Sequence, residues 1–437
     1  MPKARRYALL LMVSLAVLSM VGAVMAQEAT PDAPLITPVA CDEPGQLTMW
    51  VWDVTWASIF AEAIEDWKAN YCPGAEVDLQ QQPFGQYWDQ VQTAASSGDL
   101  PDIFNMSQDR FYFYADNDAL LNLQPYLNDL GVDTNVWGTG LVNPYRWGEN
   151  GDLYAAPVNW DTVGLFYNKD LFDAAGLEYP SADWTWDDFA EAAAALTDPE
   201  NDVYGAAVYS EYQNGYPNWI AATDTTPVVD AERTRCTLTD PGSIEALTFL
   251  KNLYDQGYMP SVSILGGSSA DDSFNYWLNG RVAMVTTVPA KIPQALEEAT
   301  FDWGIAQLPK NPETGISRPI LHSVGFVVPA TSDVPDLAAN LILYLVSDEG
   351  QRGFAENAGV GPSNPALQEL YATSFEEQGV DIDAFINALP DTQGVTPFAE
   401  IWNTMNTELV VNIFDLGMSV EEATQTACDF INTQLPE

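Results

Sequence analysis

Histidine is nearly absent from this sequence, and basic side chains are scarce. The 437 residues contain one histidine, His322, and 15 Lys and Arg residues against 62 Asp and Glu residues. Any Ser-His-Asp or Cys-His nucleophile must therefore use His322, and no G-x-S-x-G elbow accompanies it. The H-E-x-x-H zinc motif, the G-x-x-x-x-G-K phosphate loop and a G-x-G-x-x-G turn after a strand are also absent. These absences argue against hydrolytic triads, zinc hydrolases, metal sites and bound nucleotide cofactors.

The excess of carboxylates restricts the possible partners. The formal net charge is −47, so nucleic acid and anionic membranes are poor partners. The shortage of Lys and Arg also disfavours a phosphorylated ligand. Strong like charge favours a monomer.

The amino-terminal segment differs from the rest of the chain. Lys3, Arg5 and Arg6 precede an apolar run that ends in small residues at Ala26, which predicts a signal peptide over residues 1–26. The alternative is an uncleaved anchor, because the run is long enough to span a bilayer. Residues 27–45 are rich in Pro, Thr and acids and predict a flexible spacer. We therefore expect secretion to the periplasm or the cell surface.

Four cysteines follow the signal segment. In an exported chain they favour two disulfides over metal or redox chemistry. Three pairings are possible from the sequence, and we favour Cys41 with Cys72 and Cys236 with Cys428.

Hydrophobic periodicity predicts alternating strands and helices. The first part reads as strands at 46–53, 75–81 and 101–106 with helices at 57–70 and 86–97, an order typical of a parallel sheet covered by helices. The later part reads as helices at 185–197, 241–256, 271–279, 335–346, 348–357, 397–414 and 419–433, and strands at 281–288, 302–309 and 323–329. Two α/β domains are therefore expected.

Residues 153–169, LYAAPVNWDTVGLFYNK, lie between these two parts. A strand runs into Pro157, is followed by Trp160 and Asp161, and continues as a second strand, which is how a chain crosses between domains. A tryptophan and a carboxylate at such a crossing predict a hinge that also forms part of a ligand site. Flat rings with planar Asp, Asn and Arg groups suit a sugar, which has an apolar face and a rim of hydroxyls.

Several segments, in this order, resemble one known family. They are SGDLPDIF at 97–104, GDLYAAPVNWDTVGLFYNKDLFDAAGL at 151–177, TWDDF at 185–189, LNGRVAM at 278–284, the strand at 302–309 with its Pro309, and SVEEA at 419–423. The chain from about Gln46 is similar to bacterial extracellular solute-binding proteins of the maltose-binding type. The resemblance implies a two-lobed α/β fold of the type II periplasmic binding proteins, with three crossover segments as its hinge. It implies a first lobe of residues 46–158 plus 323–372 and a second of 159–322 plus 373–437.

The resemblance also implies which residues hold the ligand. It places the second crossing near His322 and Ser323 and the third between about 368 and 378. The implied ligand-binding residues are Trp52, Asp53, Trp56, Asp109, Arg110, Trp160, Asp161, Tyr216, Trp219, His322 and Trp402. The chain departs from the family where Val288-Pro289-Ala290 replaces a common Gly-Pro-Trp, which removes one stacking ring and puts maltodextrin in doubt.

The expected function is that of a receptor and not of an enzyme. The family implies an extracytoplasmic receptor of an ABC importer, which closes on a sugar or oligosaccharide and delivers it to the permease without a cofactor. The alternatives are a secreted carbohydrate-active enzyme with paired carboxylates and a surface sugar sensor.

Overall fold

The computed structural model describes residues 36–209, 213–267, 269–394, 401–402 and 405–435. The strands are β1 (Gln46–Val51), β2 (Glu76–Gln81), β3 (Ile103–Ser107), β4 (Arg146–Trp147), β5 (Asp152–Leu153), β6 (Ala156–Pro157), β7 (Asn159–Thr162), β8 (Gly164–Asn168), β9 (Tyr204–Ala207), β10 (Val282–Thr287), β11 (Trp303–Ala306), β12 (Ile320–His322), β13 (Val324–Val327), β14 (Gly361–Pro362) and β15 (Gln393–Gly394).

The predicted helices before residue 397 and the last one each have a counterpart in the structure, and about as many short helices occur that the periodicity did not predict. The α-helices are Val54–Asn70, Phe84–Ser97, Phe111–Asp116, Gln124–Asp129, Thr139–Val142, Lys169–Ala175, Trp186–Leu196, Tyr216–Ala222, Pro241–Asp255, Val262–Leu265, Ala270–Leu278, Ile292–Glu298, Pro335–Leu345, Arg352–Asn357, Gln368–Glu376, Asp383–Ile386, Asn412–Phe414 and Val420–Ile431, with a π-helical turn at Met405–Val411. The predicted helix 397–414 lies partly outside the described residues.

A five-stranded sheet in the order β2-β1-β3-β13-β6 forms the centre of what we call the first lobe. β1 pairs in parallel with β2 and β3, as the strand-helix-strand order predicts. β13 returns from much later in the chain and pairs antiparallel with β3. Leu47, Met49 and Val51 alternate with more exposed residues along β1 and are fully buried, so one face of this strand packs in the core.

A four-stranded sheet in the order β11-β8-β10-β9 forms the centre of the second lobe. The helix Trp186–Leu196 packs on this lobe and begins at Thr185, whose hydroxyl accepts from the Asp188 amide while the Asp188 carboxylate accepts from the Thr185 amide. This reciprocal capping satisfies two of the free N–H groups at the helix start.

A third, short sheet in the order β14-β7-β12-β15 lies between the other two, and we call it the hinge sheet. The chain passes from β6 in the first lobe through β7 into β8 in the second lobe, and it returns from β12 through Ser323 into β13. The sequence placed Trp160 and Asp161 in a break between two strands. They instead form part of β7, because pairing with β12 and β14 satisfies their backbone groups.

The segment before β1 packs on the first lobe from residue 36 onward. Ile36 is buried, and Val39 O accepts a hydrogen bond from Asn340 Nδ2 at 3.1 Å. The spacer expected over 27–45 is thus attached over its described part, while residues 27–35 and the predicted signal peptide, 1–26, lie outside the described residues. In the described ranges, no helix combines the length and the apolar character needed to cross a membrane.

Two disulfides join the cysteines in the pairing that the sequence favoured. Cys41 pairs with Cys72 and Cys236 with Cys428, each with Cα atoms 5.2 Å apart. The first ties the amino-terminal segment to the end of the helix Val54–Asn70. The second joins distant parts of the second lobe, across 192 residues of sequence.

Candidate functional site

A cavity of about 790 Å³ lies between the two lobes, against the hinge sheet. Residues from the first lobe, the second lobe and the hinge sheet all contribute to its walls. The polar side chains include four amides and four hydroxyl groups, the latter from Thr139, Thr226, Ser363 and Thr392, and three of the lining side chains are aromatic rings. These side chains are Tyr112, Trp137 and Trp160 among the rings, Gln108, Asn143, Gln368 and Gln393 among the amides, and Asp230 and Arg233 among the charged groups.

Trp160 is held at the hinge by close packing on two sides. Its side chain is fully buried, and its indole meets the Tyr371 ring edge-to-face with centroids 5.5 Å apart. Gly361 pairs with Trp160 across β14 and β7, and a Cβ at Gly361 would lie 1.9 Å from Trp160 Cε2. Only glycine therefore lets the neighbouring strand lie on the indole.

Gln108 links the cavity to the second crossing. Its backbone N–H donates to Ser323 O at 3.2 Å, and its side-chain Oε1 accepts from Ser323 N at 3.1 Å. The residue is buried, and its Nε2 atom has no hydrogen-bond partner among the described residues. Gly394, which also lines the cavity, lies next to this atom. Gln108 therefore connects the wall of the cavity to the second crossing.

His322 lies in a polar cluster at the hinge. Its Nε2 is 2.9 Å from Ser107 Oγ and 3.8 Å from Asp109 Oδ1, and the Ser107 hydroxyl donates to Asp109. Asp161 is the cross-strand partner of His322. Ser107 and Asp109 both approach the same ring nitrogen, whereas in a catalytic triad the carboxylate accepts from the other one. This cluster therefore lacks the geometry of a nucleophilic relay.

The two carboxylates beside His322 have opposite pKa shifts. Burial raises the pKa of Asp161 to about 7, and the His322 charge only partly opposes this. The Asp161 side chain is partly exposed as a whole, but its Oδ1 is buried and has no hydrogen-bond partner among the described residues. Burial also raises the pKa of Asp109, but His322, the Ser107 hydroxyl and the Arg110 charge outweigh this and hold the pKa below its usual range.

Trp52, Asp53 and Trp56 have a different environment from the one the sequence predicts. Asp53 caps the helix Val54–Asn70 by accepting from Trp56 N at 2.9 Å. Trp52 packs against Trp56 and Trp88, with ring centroids 6.0 and 5.6 Å away. None of the three predicted residues is among the described residues that line the cavity.

Arg110 is adjacent to Asp109 but lies in a smaller groove. Its guanidinium is 4.7 Å from the centroid of the Trp88 ring, and its Nε is 3.8 Å from Asp109 Oδ2. The groove has a volume of about 420 Å³ and is also lined by Phe84 and Phe113. Asp109 and Arg110 are therefore not brought together on the wall of the larger cavity.

The three aromatic residues predicted in the later part of the chain contribute to the core of the second lobe. Tyr216 is fully buried, and Trp402 is partly buried against that core. Trp219 is also buried, with its ring centroid 5.1 Å from that of Phe189. Within the described part of the chain, the cavity walls contain none of the three.

Comparison with known proteins identifies the family. The sequence profile of bacterial extracellular solute-binding proteins matches residues 62–378. The chain belongs to that family. It is 26% identical over 251 residues to a putative binding protein of Brucella abortus, covering 56% of this chain and 58% of that protein. The match thus spans little more than half of that relative.

Two further matches are longer. The arabinooligosaccharide-binding protein of Halalkalibacterium halodurans is 23% identical over 382 residues, which cover 82% of this chain and 83% of that protein. The structure of an ABC substrate-binding protein from Listeria monocytogenes in complex with cycloalternan superposes with a TM-score of 0.74, at 24% identity, over 90% of this chain and 99% of that one. The structural match confirms the predicted two-lobed, maltose-binding-like fold. These relatives are binding proteins and not enzymes.

In this solute-binding protein, several cavity residues were missed from the sequence. Tyr112 lies two residues after Arg110. The resemblance assigns that segment to the ligand, so Tyr112 could have been proposed from the sequence. Trp137 ends a short 3₁₀ turn, Thr134–Trp137, and Gln393 begins the two-residue strand β15. Neither segment has a hydrophobic period, so the pattern analysis had nothing to detect there.

Proposed function

We propose that this protein is the extracytoplasmic receptor of an ABC importer and that it binds a neutral mono- or oligosaccharide between its lobes. The observation that carries the proposal is the cavity of about 790 Å³, with walls from both lobes and the hinge sheet. Its size is within the usual range for small-molecule sites. The names of the arabinooligosaccharide-binding and cycloalternan-bound relatives support a sugar.

The chemistry of the walls suits a sugar. The partly exposed ring of Tyr112 provides aromatic surface for the apolar face of a pyranose ring, and the buried rings of Trp137 and Trp160 form the wall behind it. The exposed side chain of Asn143 and the partly exposed side chains of Gln368 and Gln393 present amide N–H donors on the cavity walls. Hydroxyl and ring oxygens are acceptors that such donors can bind.

The charges around the cavity favour a neutral ligand. Within the described walls, Asp230 and Arg233 are the only formally charged residues. Arg233 is paired with Asp116 at 3.3 Å, and the Asp230 carboxylate accepts from Thr234 and Arg235 in its own loop. A sugar phosphate would need further cationic groups, so we do not favour it.

Binding between the lobes explains how such a receptor signals occupancy. Contacts to both lobes exist only when the lobes are together, so the ligand shifts the population towards the closed form. The permease then recognises that form. We propose that no bond of the sugar is broken, since glycoside hydrolysis typically uses a pair of carboxyl groups and Asp230 is the one carboxylate among the described wall residues.

The remaining assignments are also proposals. We propose cleavage after Ala26, release as a monomer, and lobe boundaries after residues 158, 322 and 372. Of the residues predicted from the sequence, Trp160 lies in the wall behind the ligand in this proposal. Asp161, His322 and Asp109 shape the hinge beneath it.

The experiment is a melting curve of the secreted protein with a panel of mono- and oligosaccharides, polyols, amino acids and sugar phosphates. A ligand present at 100 times its dissociation constant adds about 2.7 kcal/mol of stability. We expect a rise in melting temperature for one sugar or a related group, with that sugar recovered intact. A shift with amino acids alone would reject the sugar, and a hydrolysed sugar would reject the receptor.

A further inference from the structure

A hairpin of the second lobe, residues 229–236, extends towards the first lobe. At its base, Val229 and Cys236 form an isolated antiparallel bridge. Cys236 is joined by a disulfide to Cys428 on the helix Val420–Ile431, and its N–H donates to Asn432 Oδ1 at 2.8 Å. The base of the hairpin is therefore fixed covalently and by a hydrogen bond to the end of the chain.

The tip of the hairpin is also well ordered by its own contacts. The Asp230 carboxylate accepts from Thr234 N at 2.7 Å, from Thr234 Oγ1 at 2.8 Å and from Arg235 N at 3.2 Å. Arg233 has a φ of 59°, in the left-handed region that is uncommon for a residue with a side chain. Surrounding contacts must hold this conformation. The hairpin thus presents Arg233 in one defined direction.

Arg233 contacts three side chains of the first lobe. Its guanidinium is 4.1 Å from the centroid of the Tyr112 ring and 5.1 Å from that of Trp147, and its Nη1 is 3.3 Å from Asp116 Oδ2. Tyr112 and Asp116 lie on the helix Phe111–Asp116, and Trp147 is in β4. The Arg233 side chain is only 15% exposed. One planar cation therefore connects the second lobe to two rings and a carboxylate of the first.

These contacts connect elements that separate when the lobes open. An exposed ion pair contributes little alone, but a cation that is also stacked on aromatic rings and mostly shielded from water contributes more. Contacts that exist only in the closed form shift the equilibrium towards it. Arg233 lines the cavity together with Tyr112, so it lies beside the space that closure encloses.

We propose that the hairpin Val229–Cys236 is a clasp that holds the lobes closed and that Arg233 is the residue through which it contacts the first lobe. The disulfide to Cys428 fixes the clasp on the second lobe, and the rings and Asp116 receive it on the first. The clasp raises the closed population before ligand arrives and slows ligand release. This inference goes beyond the proposed function and does not depend on which ligand is bound.

The test is small-angle X-ray scattering of the secreted protein without ligand, for the wild type and Arg233→Met. Methionine keeps an unbranched apolar side chain but loses the charge and the planar group. We expect about a three- to tenfold increase in the ratio of open to closed molecules, as for the loss of a shielded cation–π pair. The opening would be measured as a larger radius of gyration for Arg233→Met than for the wild type.

Arg235→Met is the matched control. Arg235 is on the same hairpin and is 53% exposed, and it pairs with Asp240 and Asp230 within the second lobe. Loss of its charge should leave the radius of gyration unchanged. If Arg235→Met opens the protein as much as Arg233→Met, the opening results from the change in net charge. The proposal of a clasp would then be wrong.

A second variant tests the same contact from the first lobe. Asp116→Asn removes the carboxylate partner at a more exposed position, so it keeps the test usable if Arg233→Met unfolds. It should open the protein less than Arg233→Met, and the two effects should not add in the double variant. Wild-type scattering for Arg233→Met and Asp116→Asn would overturn the proposal. Because no ligand is used, failure of the sugar panel would not affect this result.

Discussion

Two aromatic regions of this protein look alike in sequence and differ in structure. Trp52 and Trp56 follow a strand of the first lobe, and Trp160 lies at the crossing between the lobes. Trp52 and Trp56 pack with Trp88 and Phe354 around the first helix, whereas Trp160 lines the interlobe cavity. A tryptophan at the end of a strand is therefore not evidence of a ligand site by itself. What matters is whether two lobes meet at that strand.

The largest expected effect comes from replacing a tryptophan in each region. Trp160→Ala removes a fully buried ring, so we expect a loss of about 3–5 kcal/mol in the free energy of unfolding. The sugar identified by the melting panel should also bind at least about tenfold more weakly, equivalent to about 1.4 kcal/mol. Urea unfolding and titration calorimetry measure the two effects.

Trp56→Ala is the control for Trp160→Ala. Trp56 is nearly as buried and packs on Phe354 at a centroid distance of 5.6 Å, so its loss should cost similar stability. The folded protein should retain its affinity for the sugar. Trp160→Phe, which keeps a ring, serves if Trp160→Ala does not fold. If Trp56→Ala and Trp160→Ala weaken sugar binding equally, the two aromatic regions do not differ in their contribution to the ligand site.

A glycine-to-alanine substitution should change the stability of the protein in opposite directions in the two regions. Gly361→Ala places a Cβ 1.9 Å from Trp160 Cε2, and such overpacking costs about 1–3 kcal/mol of stability. Gly353→Ala, in the helix that packs on Trp56, meets only Ile59 Cγ2 at 3.6 Å. It should stabilise the protein by about 0.4–1 kcal/mol through the unfolded state. Thermal melts of the two variants test this, and a harmless Gly361→Ala would show that the indole is loosely held.

A third comparison is between the two carboxylates beside His322 in the hinge, those of Asp161 and Asp109. Folded Asp161 has a pKa of about 7 and unfolded Asp has one near 3.9, so the folded state binds more protons between these values. Its contribution to stability therefore falls as the pH rises from about 4 to 7. Asp161→Asn removes this slope and should be more stable than the wild type at pH 8 by about 1–3 kcal/mol.

Asp109 should show the opposite pH dependence. Its pKa is lowered, so its stabilising contribution is present near neutral pH and is lost as the pH falls through its folded pKa. Asp109→Asn should therefore lose stability at pH 7, where Asp161→Asn gains it. Urea unfolding at several pH values from about 3 to 8 distinguishes the two, because the Asp109 contribution changes below about pH 4 and that of Asp161 between about pH 4 and 7. Parallel curves for the wild type and Asp161→Asn would show that Asp161 ionises normally.

The fold was largely predictable from the sequence, for identifiable reasons. The first helix repeats its apolar residues at helical spacing, and Phe60, Ile64 and Trp67 are buried as that spacing requires. The strand predicted at 281–288 contains the apolar run 282–285, and β10 (Val282–Thr287) is buried throughout. Such local periods survive into the structure because each element packs one face, or both, against a core.

The site was less predictable because it depends on long-range pairing. His322 and Asp161 are 161 positions apart in sequence and become cross-strand neighbours only because β12 pairs with β7. Gln108 is next to the predicted Asp109, yet only the contact with Ser323 gives it a role at the hinge. Arg233 lies in a loop without a hydrophobic period, and its contact with Tyr112 joins residues that are far apart in the sequence. Hydrophobic periodicity describes residues that are close in the sequence, so it cannot predict contacts between residues that are far apart in the sequence.

The smallest expected effect tests whether Asp53 is structural, as its helix cap indicates, or a ligand group, as the resemblance implies. Asp53→Ala removes the acceptor for Trp56 N, and loss of such a cap costs about 1 kcal/mol of stability. Asp53→Ser keeps a capping oxygen without the charge, so it should restore most of that stability. Neither variant should change the affinity for the sugar, because Asp53 is not among the described residues that line the cavity. If Asp53→Ser melts like the wild type but binds the sugar several-fold more weakly, the carboxylate contacts the ligand and the aromatic region around Trp52 belongs to the site after all.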